Sequence, residues 1–312
     1  MKAGAITIFL LASGLAAAAQ SAAGPVESVT VTVTGLKEAP QEVVNRFVRS
    51  FAAPSYLTGK MARWENGVCP NTAGLAPKFA AFVSRRVREL AAQVKAPVDK
   101  NPSCRANIEI VFTTTPQNLL DTVRRKYRMY LGYHSGPAQA DKLAVVTRPI
   151  QAWYLTATKD LSGKVEVDAY GAVSSDLVGA VAQDIATGGS GVGTANGTRK
   201  VTGGRLKDGV RTIFRNVIIA ADPTKLTDYE VGTLADYIGM LALTHLSSLE
   251  VCQQPLPSIV NLLARNCPNP PSQLSESDLG YLKGLYSMSA DGNMRMQQDG
   301  IAYQMKQTFK GE

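Results

Sequence analysis

The stretch V-G-T-L-A-D-Y-I-G-M-L-A-L-T-H-L, residues 231–246, decides how the rest of the chain is read. It sets one carboxylate, Asp236, and one imidazole, His245, into an otherwise small and apolar run, which predicts a helix buried for most of its length. Just upstream, Thr227 and Glu230 match the T-x-x-E pattern of a capping box, so the helix is expected to start there. Leu234, Ile238 and Leu241 then share an apolar side that runs on towards His245. Asp236 and Met240, four residues apart, share a neighbouring face. Before the helix, T-I-F-R-N-V-I-I-A-A at residues 212–221 reads as a strand ended by Asp222-Pro223, giving the order strand, short link, long helix.

Two further pieces follow in the chain. Residues 257–261 read P-S-I-V-N, and residues 274–286 read L-S-E-S-D-L-G-Y-L-K-G-L-Y, with Ser275 placed as an N-cap and Asp278 as a first-turn acid. In this order the pieces resemble the metzincin and matrixin branch of zincin-like metalloproteases. There an H-E-x-x-H helix holds zinc, and a Met-turn and an L-S-x-x-D closing segment follow. The frame L-A-D-Y-I-G-M-L puts Asp236, Tyr237 and Met240 where the family has His, Glu and His, and Val260 stands at the Met position. All of these pieces lie within residues 212–286, and the N-terminal half carries no such resemblance.

The resemblance implies an α+β, zincin-like fold: a twisted mixed sheet packed on helices, with a pseudo-active-site helix and a C-terminal helical subdomain. It also implies that the zinc chemistry is gone. Met240 is a poor zinc ligand, and Tyr237 cannot serve as a carboxylate base. In the longer H-E-x-x-H-x-x-G-x-x-H pattern the last His falls at Leu246, so His245 is one residue early, about 100° away on a helix. With only His134 and His245 in the chain, a three-His site is excluded by count. No metal or other cofactor is expected. Asp236 and Met240 are instead expected to line a groove between helix and sheet, and Asp236, if buried, needs a cation or backbone donors.

Composition bounds the remainder. The first residues, M-K-A-G-A-I-T-I-F-L-L-A-S-G-L-A-A-A-A-Q-S-A-A-G, read as an export signal over residues 1–23, with cleavage after Ala19 or Ala23. Residues 24–312 are then expected to form a single domain, periplasmic or secreted, with no transmembrane segment after signal cleavage. The formal charge of +8 becomes +7 once Lys2 leaves. The cations read as scattered over amphipathic helices, without the aromatic-interleaved stripe of a nucleic-acid module, so no nucleic-acid partner is expected. Four cysteines in an exported chain favour disulfides. Of the three possible pairings, Cys69 with Cys104 and Cys252 with Cys267 each close a local loop, the second contributing on the order of 3 kcal/mol in the chain-entropy model.

Along the chain, S-V-T-V-T-V-T-G at residues 28–35 alternates as a half-buried strand. Helices are expected over residues 40–52, from Pro77 to about Val94, and over residues 116–128, each opened by a proline. Residues 107–114 and 165–170 read as strands, 143–156 as one or two strands broken near Pro149, and 55–74 as irregular. His134 sits in a turn-like stretch as a loop residue. Residues 187–205, rich in Gly, Ser and Thr, read as a flexible insertion that lacks the ordered Gly, Lys and Ser/Thr of a phosphate loop and misses a nucleophile elbow at Ser190. Two function classes remain. The first is a non-catalytic exported protein that binds a peptide, a protein or an envelope component. The second is a hydrolase with an unrecognised active site, which two histidines in unrelated segments do little to support.

Overall fold

The strand expected at residues 212–221 is the centre of the sheet. The computed structural model describes residues 39–169, 199–247, 249, 252 and 256–309, all within the compact unit Gly35–Glu312. The chain runs α1 (Gln41–Phe51), β1 (Ala62–Arg63), β2 (Pro70–Ala73), α2 (Pro77–Gln93), β3 (Ile108–Phe112) and α3 (Pro116–Lys126). A 3-10 turn (Arg128–Leu131), α4 (Pro137–Leu143), β4 (Ile150–Lys159), β5 (Val165–Val167) and β6 (Arg211–Ala221) follow. The last part holds α5 (Val231–Leu243), a 3-10 turn (Ile259–Leu263), α6 (Glu276–Ser287) and α7 (Met294–Phe309). The export signal, the strand at residues 28–35 and residues 187–198 of the insertion lie outside the described residues.

The strands form one mixed, twisted sheet of order β2-β3-β6-β4-β5, with β1 paired to the start of β6. β3 runs parallel to β6, with Ile108 opposite Val217 and Phe112 opposite Ala221, while β1 pairs Ala62 with Thr212. β4 is antiparallel to β6 along its whole length, from Ile150 opposite Ala221 to Lys159 opposite Arg211. The α+β class and the mixed sheet are therefore present.

Strand periodicity explains why helices cover both faces. In β6, Val217, Ile219 and Ala221 join the main core with β3 and helices α1, α2, α5, α6 and α7, whereas Ala220, with Ile218 alongside, belongs to a second core. Successive side chains of a strand point to opposite faces, so a central strand with the continuous apolar run 217–221 needs cover on both. On the second face Trp153 of β4 packs with Leu120 and Val123 of α3, Leu131, and Ala140 of α4.

Several expectations need correction. Residues 55–74 are not irregular throughout, since they contain β1 and β2, which at two and four residues are too short to show a period. α4 was unpredicted, and the helix opened by Pro116 ends at Lys126 and tightens into the 3-10 turn. β4 is one strand beginning straight after Pro149, consistent with a residue that cannot donate to the ladder. Residues 199–205 of the insertion are tied down at their start: Arg199 pairs with Glu166, and the Lys200 N–H donates to Asp160 at 3.0 Å.

Candidate functional site

α5 is buried on every side from Thr233 to Leu243, as its small and apolar run predicts. Its start is simpler than expected. The first helical residue is Val231, with Glu230 at the N-cap and no side-chain cap bond, so the Thr227 capping box does not form. The helix follows β6 through a 3-10 turn at Pro223–Lys225, where Asp222 accepts from the Thr224 N–H at 3.1 Å.

An apolar helix buried in this way must still satisfy its last carbonyls. Three aromatic side chains from distant segments do so. Trp64 Nε1 donates to the Ala242 carbonyl at 2.9 Å, the Tyr286 hydroxyl to Leu243 at 2.8 Å, and the Tyr154 hydroxyl to Leu241 at 3.0 Å and Thr244 at 3.3 Å. The Met240 carbonyl takes the Thr244 N–H at 3.2 Å. The end of the helix is thus closed by donors from β4, α6 and the segment after β1.

The residues in the family frame are closed as well. Asp236 is 3% exposed, and its carboxylate is already committed. Arg86 of α2 donates through Nε at 2.6 Å to one oxygen and through Nη2 at 3.3 Å to the other, which also accepts the Leu274 N–H at 3.0 Å. Both expected means of offsetting burial, a cation and a backbone donor, are therefore used together. Tyr237 is 1% exposed and Met240 0% exposed, and burial pushes the Tyr237 hydroxyl well above its ordinary range. Asp236 and Met240 do not line a groove against the sheet. The Asp236 carboxylate turns to α2 and to the segment before α6, and Met240 is part of the core.

His245 lies beyond the helix end, so a helical angle does not describe it. Its ring rests against Tyr154, with centroids 4.4 Å apart and planes at 31°, and burial lowers its pKa to about 4. His134 is a buried loop residue whose Nδ1 lies 2.8 Å from the Gly132 carbonyl.

The downstream pieces meet through one side chain. Ser275 is the N-cap of α6 and Asp278 completes a capping box with it, the Asp278 N–H donating to Ser275 Oγ at 3.1 Å and the Ser275 N–H returning to Asp278 at 2.9 Å. The buried Asp278 also accepts from the Ile259 N–H at 2.8 Å and from the Ser258 hydroxyl. Burial raises its pKa, and these donors pull it back. The P-S-I-V-N turn, which carries the 1% exposed Val260, is therefore fastened to the closing helix. The disulfides join Cys69 to Cys104 and Cys252 to Cys267, with Cα atoms 6.1 and 5.1 Å apart.

Sequence reasoning missed the residues that make this region work as a structural unit: Arg86, Trp64, Tyr154 and Tyr286. Only Arg86 left a signal, as a cation on the helix opposite a lone buried acid, and sequence spacing does not show that the two meet. Among the described residues no group of three or more His, Cys, Asp or Glu side chains is placed to hold a metal, and no helix is long and apolar enough to cross a membrane. Compared with known protein families, characterised proteins and solved structures, the chain matches none.

Proposed function

We propose that this chain is an exported, non-catalytic protein on a zincin-like scaffold, periplasmic or secreted, that acts by binding a peptide, a protein or an envelope component. The observation that carries this reading is the state of Asp236. In the metalloprotease frame this position supplies a zinc ligand facing a water-filled cleft. Here both carboxylate oxygens are occupied by Arg86 and the Leu274 N–H, and the other two frame positions are sealed in the core. Taking up zinc would mean breaking an ion pair whose carboxylate is buried, for a site with one carboxylate, one thioether and no general base. Support for the scaffold comes from the sequence β6, link, α5, turn and α6, with Asp278 joining the turn to the closing helix. Support for export comes from the apolar N-terminal segment and from two disulfides.

The test is metal analysis of mature protein dialysed without chelator, together with a peptide-cleavage assay. Sub-stoichiometric zinc and no cleavage are expected. Stoichiometric zinc, with cleavage abolished by Asp236→Ala, would sink the proposal.

A further inference from the structure

The cations are not scattered everywhere. Residues 124–133 read R-R-K-Y-R-M-Y-L-G-Y, four cations and three tyrosines where the composition as a whole suggested dispersal. The stretch leaves the end of α3, makes the 3-10 turn and lies on the face of the sheet opposite α5. It is firmly mounted. Met129 and Leu131 are 8% and 3% exposed, Met129 packing with Leu155 of β4. Gly132, at φ 92°, lies so close to the sheet that a Cβ there would come 2.8 Å from the Tyr154 carbonyl, so only glycine fits.

What this mount presents outward is charge and tyrosine. Of the four cations, Arg124 alone pairs with an acid, Asp141 at 2.9 Å. Arg125, Lys126 and Arg128 are exposed. Arg125 reaches only the Thr122 hydroxyl, at 3.3 Å, and none of the three has a carboxylate partner among the described residues. Tyr127 is 46% exposed, with Tyr130 edge-on to it at 6.4 Å. Tyr56 is 77% exposed and stacks on Tyr133, centroids 4.9 Å apart and planes at 17°.

The geometry points to a docking surface for a lipid bilayer carrying anionic headgroups. Unpaired cations are attracted to a negative lipid surface, and tyrosines, with an apolar ring and a polar tip, settle at the headgroup level. A single-stranded nucleic acid, the other partner that combines phosphates with flat rings, needs a run of open ring faces on which bases stack. Here Tyr133 and Tyr56 stack on each other and Tyr127 and Tyr130 meet edge to face, so the rings are paired among themselves and not set out as a run of open faces. This inference names the envelope component of the reading above. It rests on that reading's binding role and not on the zincin resemblance, since the patch is mounted on the second core and α5 belongs to the first.

The experiment is co-sedimentation of the mature, oxidised protein with phosphatidylcholine vesicles, with and without phosphatidylglycerol, read alongside the thermal midpoint of each variant. Binding is expected only where phosphatidylglycerol is present, and it should fall as salt shortens the Debye length. Each of R125Q, K126Q and R128Q should weaken it about fivefold, with Tyr56→Ala weakening it further and no midpoint moving appreciably. Equal binding to neutral vesicles, or binding unchanged in the triple variant, would overturn the proposal. So would capture of a single-stranded oligonucleotide through the same residues with no vesicle binding. Zinc-dependent cleavage by the same preparation would defeat the non-catalytic reading and leave the vesicle result standing, so the two failures can be told apart.

Discussion

The two faces of the sheet carry different kinds of polar group. On the α5 face, Asp236 and the last carbonyls of the helix are buried and partnered, by Arg86, Trp64, Tyr154 and Tyr286. On the α3 face, Arg125, Lys126 and Arg128 stand exposed without a carboxylate partner among the described residues, above a small apolar core. A buried polar group left alone costs roughly 1–3 kcal/mol, whereas a solvated cation costs almost nothing to keep. The buried groups of the α5 face are therefore held by partners, while the three cations of the α3 face stay solvated. In the stretch that resembles an enzyme motif, Asp236 is fully partnered and Tyr237 and Met240 are buried.

That contrast can be broken by substitution. The largest effect is expected at Trp64, 2% exposed and donor to the Ala242 carbonyl. Trp64→Ala should lower the unfolding free energy by about 3–5 kcal/mol in urea. Trp64→Phe keeps a smaller aromatic ring and removes the donor, and should cost about 1–3 kcal/mol. A neutral Trp64→Phe would mean that closing the helix end contributes little.

A smaller effect should be visible against pH. Burial lowers the His245 imidazole from 6.5 to about 4. Below pH 6.5 the unfolded chain takes up a proton that the folded chain refuses until about 4. The stability owed to neutral His245 is therefore full above 6.5 and lost as pH falls through that window. His245→Phe preserves a ring against Tyr154 and should flatten the pH dependence of the thermal midpoint between those values, by on the order of 1–3 kcal/mol at the acid end. An unchanged profile would place the imidazole in water.

The smallest effect belongs to the opposite face. Lys126→Gln and Arg128→Gln should change the urea midpoint by no more than about 0.5 kcal/mol equivalent. A larger loss would show that these cations have structural partners and would blur the distinction between the faces.

Much of the fold was legible because its signals are local. Alternation and apolar runs located β3, β4 and β6, prolines marked the starts of α2 and α3, and the L-S-E-S-D pattern located the Ser275 cap. The candidate site was less legible because its contacts join residues far apart in the chain. Arg86 meets Asp236 across 150 positions and Trp64 meets Ala242 across 178, and no periodicity encodes either. The Thr227 box failed for a different reason. Its pattern is present, but the chain makes a turn there and the helix starts at Val231. The basic tyrosine-rich stretch was readable all along, and averaging charge over the whole chain concealed it.

Asp236 holds the structure through its partner Arg86. A double-mutant cycle of Arg86→Met and Asp236→Leu, followed by urea unfolding with and without chelator, tests it most directly. Breaking a buried pair from one side strands the other charge, while replacing both by apolar groups is close to neutral. Because Arg86 is about one-third exposed, stranding it costs less than a fully buried charge would. Asp236→Leu is therefore expected to cost about 2–4 kcal/mol, and the double variant to recover at least half of that, with chelator changing nothing. Additive single losses, together with destabilisation by chelator that zinc reverses, would contradict the account.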